Sequence, residues 1–396
     1  MNPVYWSLAA LAIVAVAIVV LLRLGLSLGV SIALVAIGLG LYTGSLGVGV
    51  LGALAEESSL ILLSSTLAIA VLAELYRLSG SVRSLGMGLS AALKDPRLGM
   101  GLVPAVVGLM PVAGGALLSA PLVEALGVSA GLSGELMAYI NVWFRHLLIY
   151  SYPLSQVLIV LSQLSGYSVT TIALATLPIS LLMVLVGLPA LARVRRAVVD
   201  LGVDPREGLK LSTPIAVALV TLVALGPLLG NWAVPIGASA AVAVLVAIGR
   251  CSKDLPKALT STRVLDIVLA VVAVIVLREV IAGSWVSEDL QQVVASLGGA
   301  GVALAALSAV VSIATGSIIT GLFLTLPILA SLGASSMGDV LLIYTYSFLG
   351  YVASPTHLCL IYTAKYFNSE LTKVYRYLLP SVATVLAVST LYYSYL

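Results

Sequence analysis

Stretches of about 20 apolar residues without a charge, the length at which a helix crosses the hydrocarbon core of a bilayer, recur along this chain from one end to the other. A segment in lipid finds no water for its backbone, so its N–H and C=O groups must be paired within a helix or a closed barrel. The alternating ten-residue pattern of a barrel is absent. Of the 396 residues, 61% are hydrophobic and 9% charged, with a mean hydropathy of +1.18, against roughly half apolar in a soluble domain. The expectation is an all-α, multi-pass protein of the cell membrane. The first run, 4–22, has no basic residue before it and is followed at once by another span, so it is expected to stay as a first helix rather than leave as a signal peptide.

Lysine and arginine in short loops mark the cytoplasmic side. They cluster in 77–97, 193–210, 250–263 and 365–376, with Arg23 between the first two spans. Full spans are expected at 4–22, 25–42, 58–76, 134–165, 169–191, 213–230, 232–249, 264–283, 338–367 and 374–395. If 134–165 and 338–367 each cross once despite an internal break, there are ten spans, the basic clusters share one side and both termini lie outside. The net charge of +3 belongs to these loops, and no nucleic-acid partner is expected.

Two apolar stretches, 99–128 and 298–333, are interrupted near their middles: GLMPVAGGALLSAPLVEALG in the first and VSIATGSIITGLFLTLPILASLG in the second. To keep the basic clusters on one side, each must return to the face it entered from, as a re-entrant hairpin. Such tips are tolerated at membrane depth when buried in protein or lining a watery cavity, which makes them candidate binding sites. The two stretches also match each other: PLVEALG from Pro121 parallels PILASLG from Pro327, and Gly115 aligns with Gly321. Downstream, GELMAYINVWF from Gly134 parallels GDVLLIYTYSF from Gly338, pairing Asn141 with Thr345, and Pro153 pairs with Pro355. The chain therefore divides into 1–205 and 206–396, each with three spans, a hairpin, a broken span and a last span. The halves have opposite orientation. Inverted repeats with discontinuous helices near the midplane characterise secondary transporters.

The MPVAGGALLSAP tip followed by the NVWFRH helix resembles an uncharacterised prokaryotic membrane family, number four hundred and one among the domains of unknown function. More broadly, the layout resembles the ion transporter superfamily, which includes gluconate permeases, divalent-anion sodium symporters and some cation antiporters. That resemblance implies a homodimeric scaffold and a mobile domain of hairpins and broken helices that moves in an elevator fashion. The Ser-Asn-Thr signature of the divalent-anion symporters is absent from both tips, which read Pro111-Val112-Ala113-Gly114-Gly115 and Ala314-Thr315-Gly316-Ser317.

Arg145 is the sharpest candidate, because a charge far from a helix end costs several kcal/mol unless paired or hydrated. Asn141 precedes it by one helical turn on the same face, and a guanidinium fork suits a carboxylate or phosphate. Either Arg145 orients an anion with Asn141, or it caps carbonyls at the first tip or pairs with Glu124. His146 and His357 titrate near neutral pH and could relay a proton; a structural hydrogen bond is the competing role for each. Glu124 is the carboxylate best placed for proton coupling, and Thr345 joins the ion-coupling candidates as the repeat mate of Asn141.

Glycines permit close approach at the tips, and the helix arm after each tip presents unpaired N–H groups that favour an anion. Pro111, Ala113, Gly114, Gly115 and Ser119 form the first candidate set. Thr315, Gly316, Ser317, Thr320 and Gly321 form the second, and Ser354 and Thr356 flank the second break. Close packing of transmembrane helices is the alternative for the small residues.

No cofactor or metal ligand set is expected; Cys251 and Cys359 sit in no metal-ligand spacing, and sodium, as a coupling ion, could be held by neutral oxygens. The Gly47-to-Gly52 run spells a dinucleotide motif without a strand before it, and 287–297 reads as a surface amphipathic helix. No nucleophile and base are set out as in an enzyme. The expected function is secondary active transport of a small organic anion, a carboxylate first, coupled to sodium or protons. A cation/proton antiporter is the alternative, and an intramembrane enzyme or a receptor the remote one.

Overall fold

A computed structural model of the chain describes residues 13–396 other than 15, 19, 22, 23, 48, 94, 110–115, 195–203, 250, 286–299 and 332–335. Among the described residues every regular element is helical. The first half holds α1 (Leu28–Thr43), α2 (Gly49–Ala55), α3 (Glu57–Leu78), α4 (Ser81–Leu93), α5 (Pro96–Gly108), α6 (Ala116–Ser129), α7 (Gly134–Ile149), α8 (Gln156–Ser165) and α9 (Val169–Ala192). The second holds α10 (Pro205–Leu229), α11 (Ala233–Gly249), α12 (Leu255–Leu259), α13 (Thr262–Ala282), α14 (Ala300–Thr315), α15 (Ile318–Ser331), α16 (Met337–Ala353), α17 (Leu358–Tyr366) and α18 (Leu371–Tyr393).

The helix starts follow capping chemistry. Ser27, Ser168, Ser261 and Ser336 each accept a bond from an N–H of the first turn they precede. Asp95 and Asp204 do the same ahead of Pro96 and Pro205, which stand where a missing N–H costs nothing.

Helices α3, α9 and α18, together with the stretch Pro205–Gly249 that contains α10 and α11, are long and apolar enough to cross a membrane. They mark a membrane-embedded protein. α10 and α11 pack on each other across a turn at Gly230, whose φ of 55° lies in the left-handed region that glycine enters freely.

Two groups of helices pack internally. In the first, α1 lies on α13, α13 on α3, α3 on α11 and α11 on α10. α3 and α13 run antiparallel, with ion pairs at both ends. Glu74 meets Arg77 at 2.6 Å and Arg263 at 3.9 Å, and Arg278 meets Glu56 at 3.0 Å. In the second group, α5 packs on α6 and α7 while α14 packs on α15 and α16. The two halves interlock crosswise, α6 against α17 and α15 against α8.

Both expected breaks are present. α7 stops at Ile149 and α8 starts at Gln156, around Pro153; α16 stops at Ala353 and α17 starts at Leu358, around Pro355. A carbonyl freed at such a break needs a partner inside the protein. At the first, the Tyr344 hydroxyl donates to the Tyr150 carbonyl at 2.7 Å; at the second, the Tyr375 hydroxyl donates to the Ala353 carbonyl at 2.9 Å.

Three sequence expectations change. The basic stretch 77–97 is not a plain loop but contains α4, which lies against α10 where Gly88 and Gly208 face each other; a β-carbon on Gly88 would fall 2.4 Å from the Gly208 nitrogen. α10 starts at Pro205 rather than near 213, because the Asp204 cap and Pro205 nucleate a polar first turn before the apolar run. Glycine-rich 47–52, expected as a connection, is helical from Gly49 onward in the short helix α2. The expected surface helix at 287–297 lies outside the described residues.

Candidate functional site

Helix α7 is buried from Leu136 through Leu147, so nearly every side chain it carries faces protein. It is fixed from two sides. The Trp143 indole N–H donates to the Met183 carbonyl of α9 at 2.9 Å, and the Tyr139 hydroxyl shares a hydrogen bond with Ser381 of α18 at 2.8 Å. Within this frame Asn141 is completely enclosed. Its Nδ2 donates to the Ala116 carbonyl at 2.9 Å and to Thr363 Oγ1 at 3.3 Å, while its Oδ1 accepts from the Ser119 hydroxyl at 2.7 Å. The amide thus ties the start of α6 to α17, across the two halves of the chain. Ser119 donates to the same amide and to Ala116, and both are committed to structure.

One turn on, Arg145 is 4% exposed and His146 likewise 4%. His146 holds its Nδ1 at 2.7 Å from the Val142 carbonyl, the structural bond that its position one turn later on the same helix permits. Its ring also meets the chain's other histidine. His357, which caps α17 at the second break, lies with its ring centroid 4.8 Å from that of His146 at 74°. Tyr351 packs on both, 4.0 Å from His357 and 5.6 Å from His146, and its hydroxyl meets the Cys359 thiol. Arg145 is close enough to act electrostatically on both histidines and on Tyr351.

The second tip is bound to the second break. Gly316, at φ 63°, sits so close to Thr356 that a β-carbon would lie 2.7 Å from the threonine Oγ1. Ser354 donates to the Ile313 carbonyl of α14 at 2.6 Å and shares a 2.8 Å hydrogen bond with Thr356. Thr315 donates to the Val311 carbonyl, and Ser317 accepts from the Thr320 N–H at the start of α15. Four chain segments therefore converge: α7, α16, the second break and the second tip.

The remaining candidates are elsewhere or engaged. Thr345 shares a 2.5 Å hydrogen bond with the Tyr150 hydroxyl and donates to the Leu341 carbonyl. Gly321 is a packing glycine whose β-carbon would strike the Ser347 and Ser312 hydroxyls, themselves 2.8 Å apart. Thr320 lines an apolar cleft with Ile32, Val274, Leu277 and Phe323. Glu124 accepts from the Tyr366 hydroxyl at 2.7 Å. Pro111, Ala113, Gly114 and Gly115 lie outside the described residues. Sequence reasoning overlooked Tyr351, Cys359 and Thr363, and nothing in their apolar surroundings singles them out; only the fold brings them to the histidines and Asn141.

Chemically, the convergence offers one permanent cation, two imidazoles, a thiol, and hydroxyls and loose backbone at a helix break, enclosed by apolar and aromatic side chains. Such a mixture can recognise a small polar or anionic species. No curated protein matches the chain. A family model described as "Protein of unknown function (DUF401)" matches residues 4–396, and the chain belongs to that family.

Proposed function

We propose that the protein is a secondary active transporter of a small organic anion, with carboxylates the first class to test, coupled to sodium or protons. The observation that carries this reading is Arg145, 4% exposed on a helix enclosed by protein and set beside the histidine pair at an interrupted helix. The planar guanidinium fork of Arg145 matches a carboxylate. The order of elements supports the reading: α5 to α9 and α14 to α18 each run as a helical pair, a broken helix and a last helix. With ten crossings and both termini outside, the halves 1–205 and 206–396 are inverted repeats of the kind secondary transporters use. The group built on α1, α3, α10, α11 and α13 is then the scaffold and dimer contact, and the interlocked group the elevator that carries substrate. Carbonyls and hydroxyls at Ser354 and Thr356 provide neutral ligands for sodium. The antiporter alternative has less support, since Glu124, its best carboxylate, is already bonded to Tyr366.

The test is uptake of labelled carboxylates into proteoliposomes under sodium and proton gradients. Arg145→Gln should abolish uptake while the purified variant keeps a monodisperse profile, and Arg145→Lys should retain a fraction of it. Full uptake by the glutamine variant would falsify the role given to the arginine.

A further inference from the structure

We propose that His146, His357 and Cys359 form a binding site for one thiophilic d10 metal ion, zinc being the first candidate, which pins α7 to the second helix break. The three residues are buried, and a ring nitrogen of each histidine and the cysteine sulfur all lie within 4.8 Å of one another. Both imidazoles turn Nδ1 toward a backbone carbonyl, as metal-bound ones do when Nε2 is the ligand. For His146 the carbonyl is Val142 at 2.7 Å; for His357 it is Val352 at 3.5 Å.

An independent observation points to a ligand. His357 is 1% exposed, and its Nε2 has no hydrogen-bond partner among the described residues. A buried polar atom left unpaired is destabilising, and an ion within the cluster would remove that cost. The donor set selects the class of ion. Imidazole and thiolate suit zinc or cuprous copper, whereas sodium, magnesium and calcium take oxygen. Zinc bonds of about 2.0–2.1 Å to nitrogen and about 2.3 Å to sulfur place tetrahedral ligands roughly 3.3–3.6 Å apart. Binding therefore draws the cluster in by roughly an ångström, within reach of side-chain rotation.

The charges around the cluster shape the site further. Arg145 is the permanent charge beside it, close enough to act on both histidines. The same cation opposes a second positive charge, so a fourth ligand beyond these three residues would be a small anion or hydroxide. Since His146 belongs to α7, and His357 and Cys359 to the second break and the start of α17, the ion ties the two halves of the chain together. Under the transport reading a tied cluster halts the cycle, and zinc inhibits uptake; the site itself does not depend on that reading.

The experiment uses full-length protein in detergent, stripped with chelator and titrated with cobalt(II) as a spectroscopic probe, then with zinc. The expected result is one cobalt per chain with a thiolate-to-cobalt charge-transfer band, displaced by zinc. Cys251→Ser should keep the band and Cys359→Ser should lose it, while His357→Ala should weaken binding at least about tenfold. Should the site variants fail to fold, Cys251→Ser protein answers alone: bound zinc should slow alkylation of Cys359, read by peptide mapping. Absence of the band in wild-type protein, its loss in Cys251→Ser, or unchanged Cys359 alkylation with zinc overturns the site. These readings need no substrate, so a failed uptake assay and a failed metal titration are told apart.

Discussion

Gly108 and Arg145 meet through their backbones: a β-carbon on Gly108 would lie 2.0 Å from the Arg145 carbonyl oxygen and 3.1 Å from its Cγ. The end of α5, which leads into the first tip, thus rests on the turn of α7 that carries the buried guanidinium. The position of the end of α5 and the position of the cation are one mechanical quantity, and the absence of a side chain at a single residue permits it.

Gly108→Ala tests that contact. The methyl group pushes chiefly against the Arg145 backbone, so α5 must move off α7, a change expected to cost about 1–3 kcal/mol as overpacking does. Gly38→Ala, in α1, where a β-carbon meets nothing within 4 Å, should be neutral or stabilising by up to about 1 kcal/mol, since alanine favours helix over glycine. Thermal unfolding in detergent reads both; equal melting temperatures would mean the helices are not in contact there.

Asn141 predicts an order of effects. Asn141→Ala strips partners from the Ala116 carbonyl, Ser119 and Thr363 at once, in a site with no solvent. Leaving such groups unpaired costs about 1–3 kcal/mol each before relaxation. Ser119→Ala removes only the hydroxyl's share and leaves both Nδ2 bonds in place. The asparagine variant should melt at the lower temperature of the two; the reverse order would show that its amide does not join α6 to α17.

The residues that could be read in the sequence are those whose type conflicts with lipid. Pro153 and Pro355 lack the N–H that a continuing helix needs, and both breaks fall around them. Arg145 and the two histidines stand out because charge and imidazole are expensive in an apolar run. What could not be read is which faces meet. Gly321 resembles a tip glycine, yet the tip turns at Gly316 and the later glycine packs against serines of α14 and α16. Cys359 follows His357 by two residues, but the third member, His146, arrives from α7 in the other half of the chain, so the sequence does not bring the three together. Small residues serve close packing and binding alike, and composition cannot separate the two uses.

Gly316 and Thr356 should be energetically coupled. An alanine at Gly316 holds a left-handed φ of 63°, at roughly 1–2 kcal/mol, and presses on the threonine oxygen. Thr356→Ala removes that oxygen and its bond to Ser354. In the double variant the closest steric contact is gone while the φ penalty stays, so the effects should fall short of additivity by about 0.5 kcal/mol or more. A double-mutant cycle on unfolding free energies measures this, and strict additivity would place the second tip away from the second break.

Under the proposed topology, the two ends of the α3–α13 pair lie on opposite sides of the membrane. The end with Arg77 and Arg263 lies near the basic stretch 250–263, the end with Glu56 and Arg278 opposite to it. Because basic residues in short loops stay in the cytoplasm, exposed Lys257 should be inside and exposed Ser394, just beyond α18, outside. Lys257→Cys and Ser394→Cys, each in protein whose two native cysteines are serine, can be labelled with a membrane-impermeant maleimide. Ser394→Cys should react in intact cells and Lys257→Cys only in inverted vesicles. Labelling of both positions from the same side would require an odd number of crossings between them to be even, and would remove the opposite orientation on which the inverted-repeat reading depends.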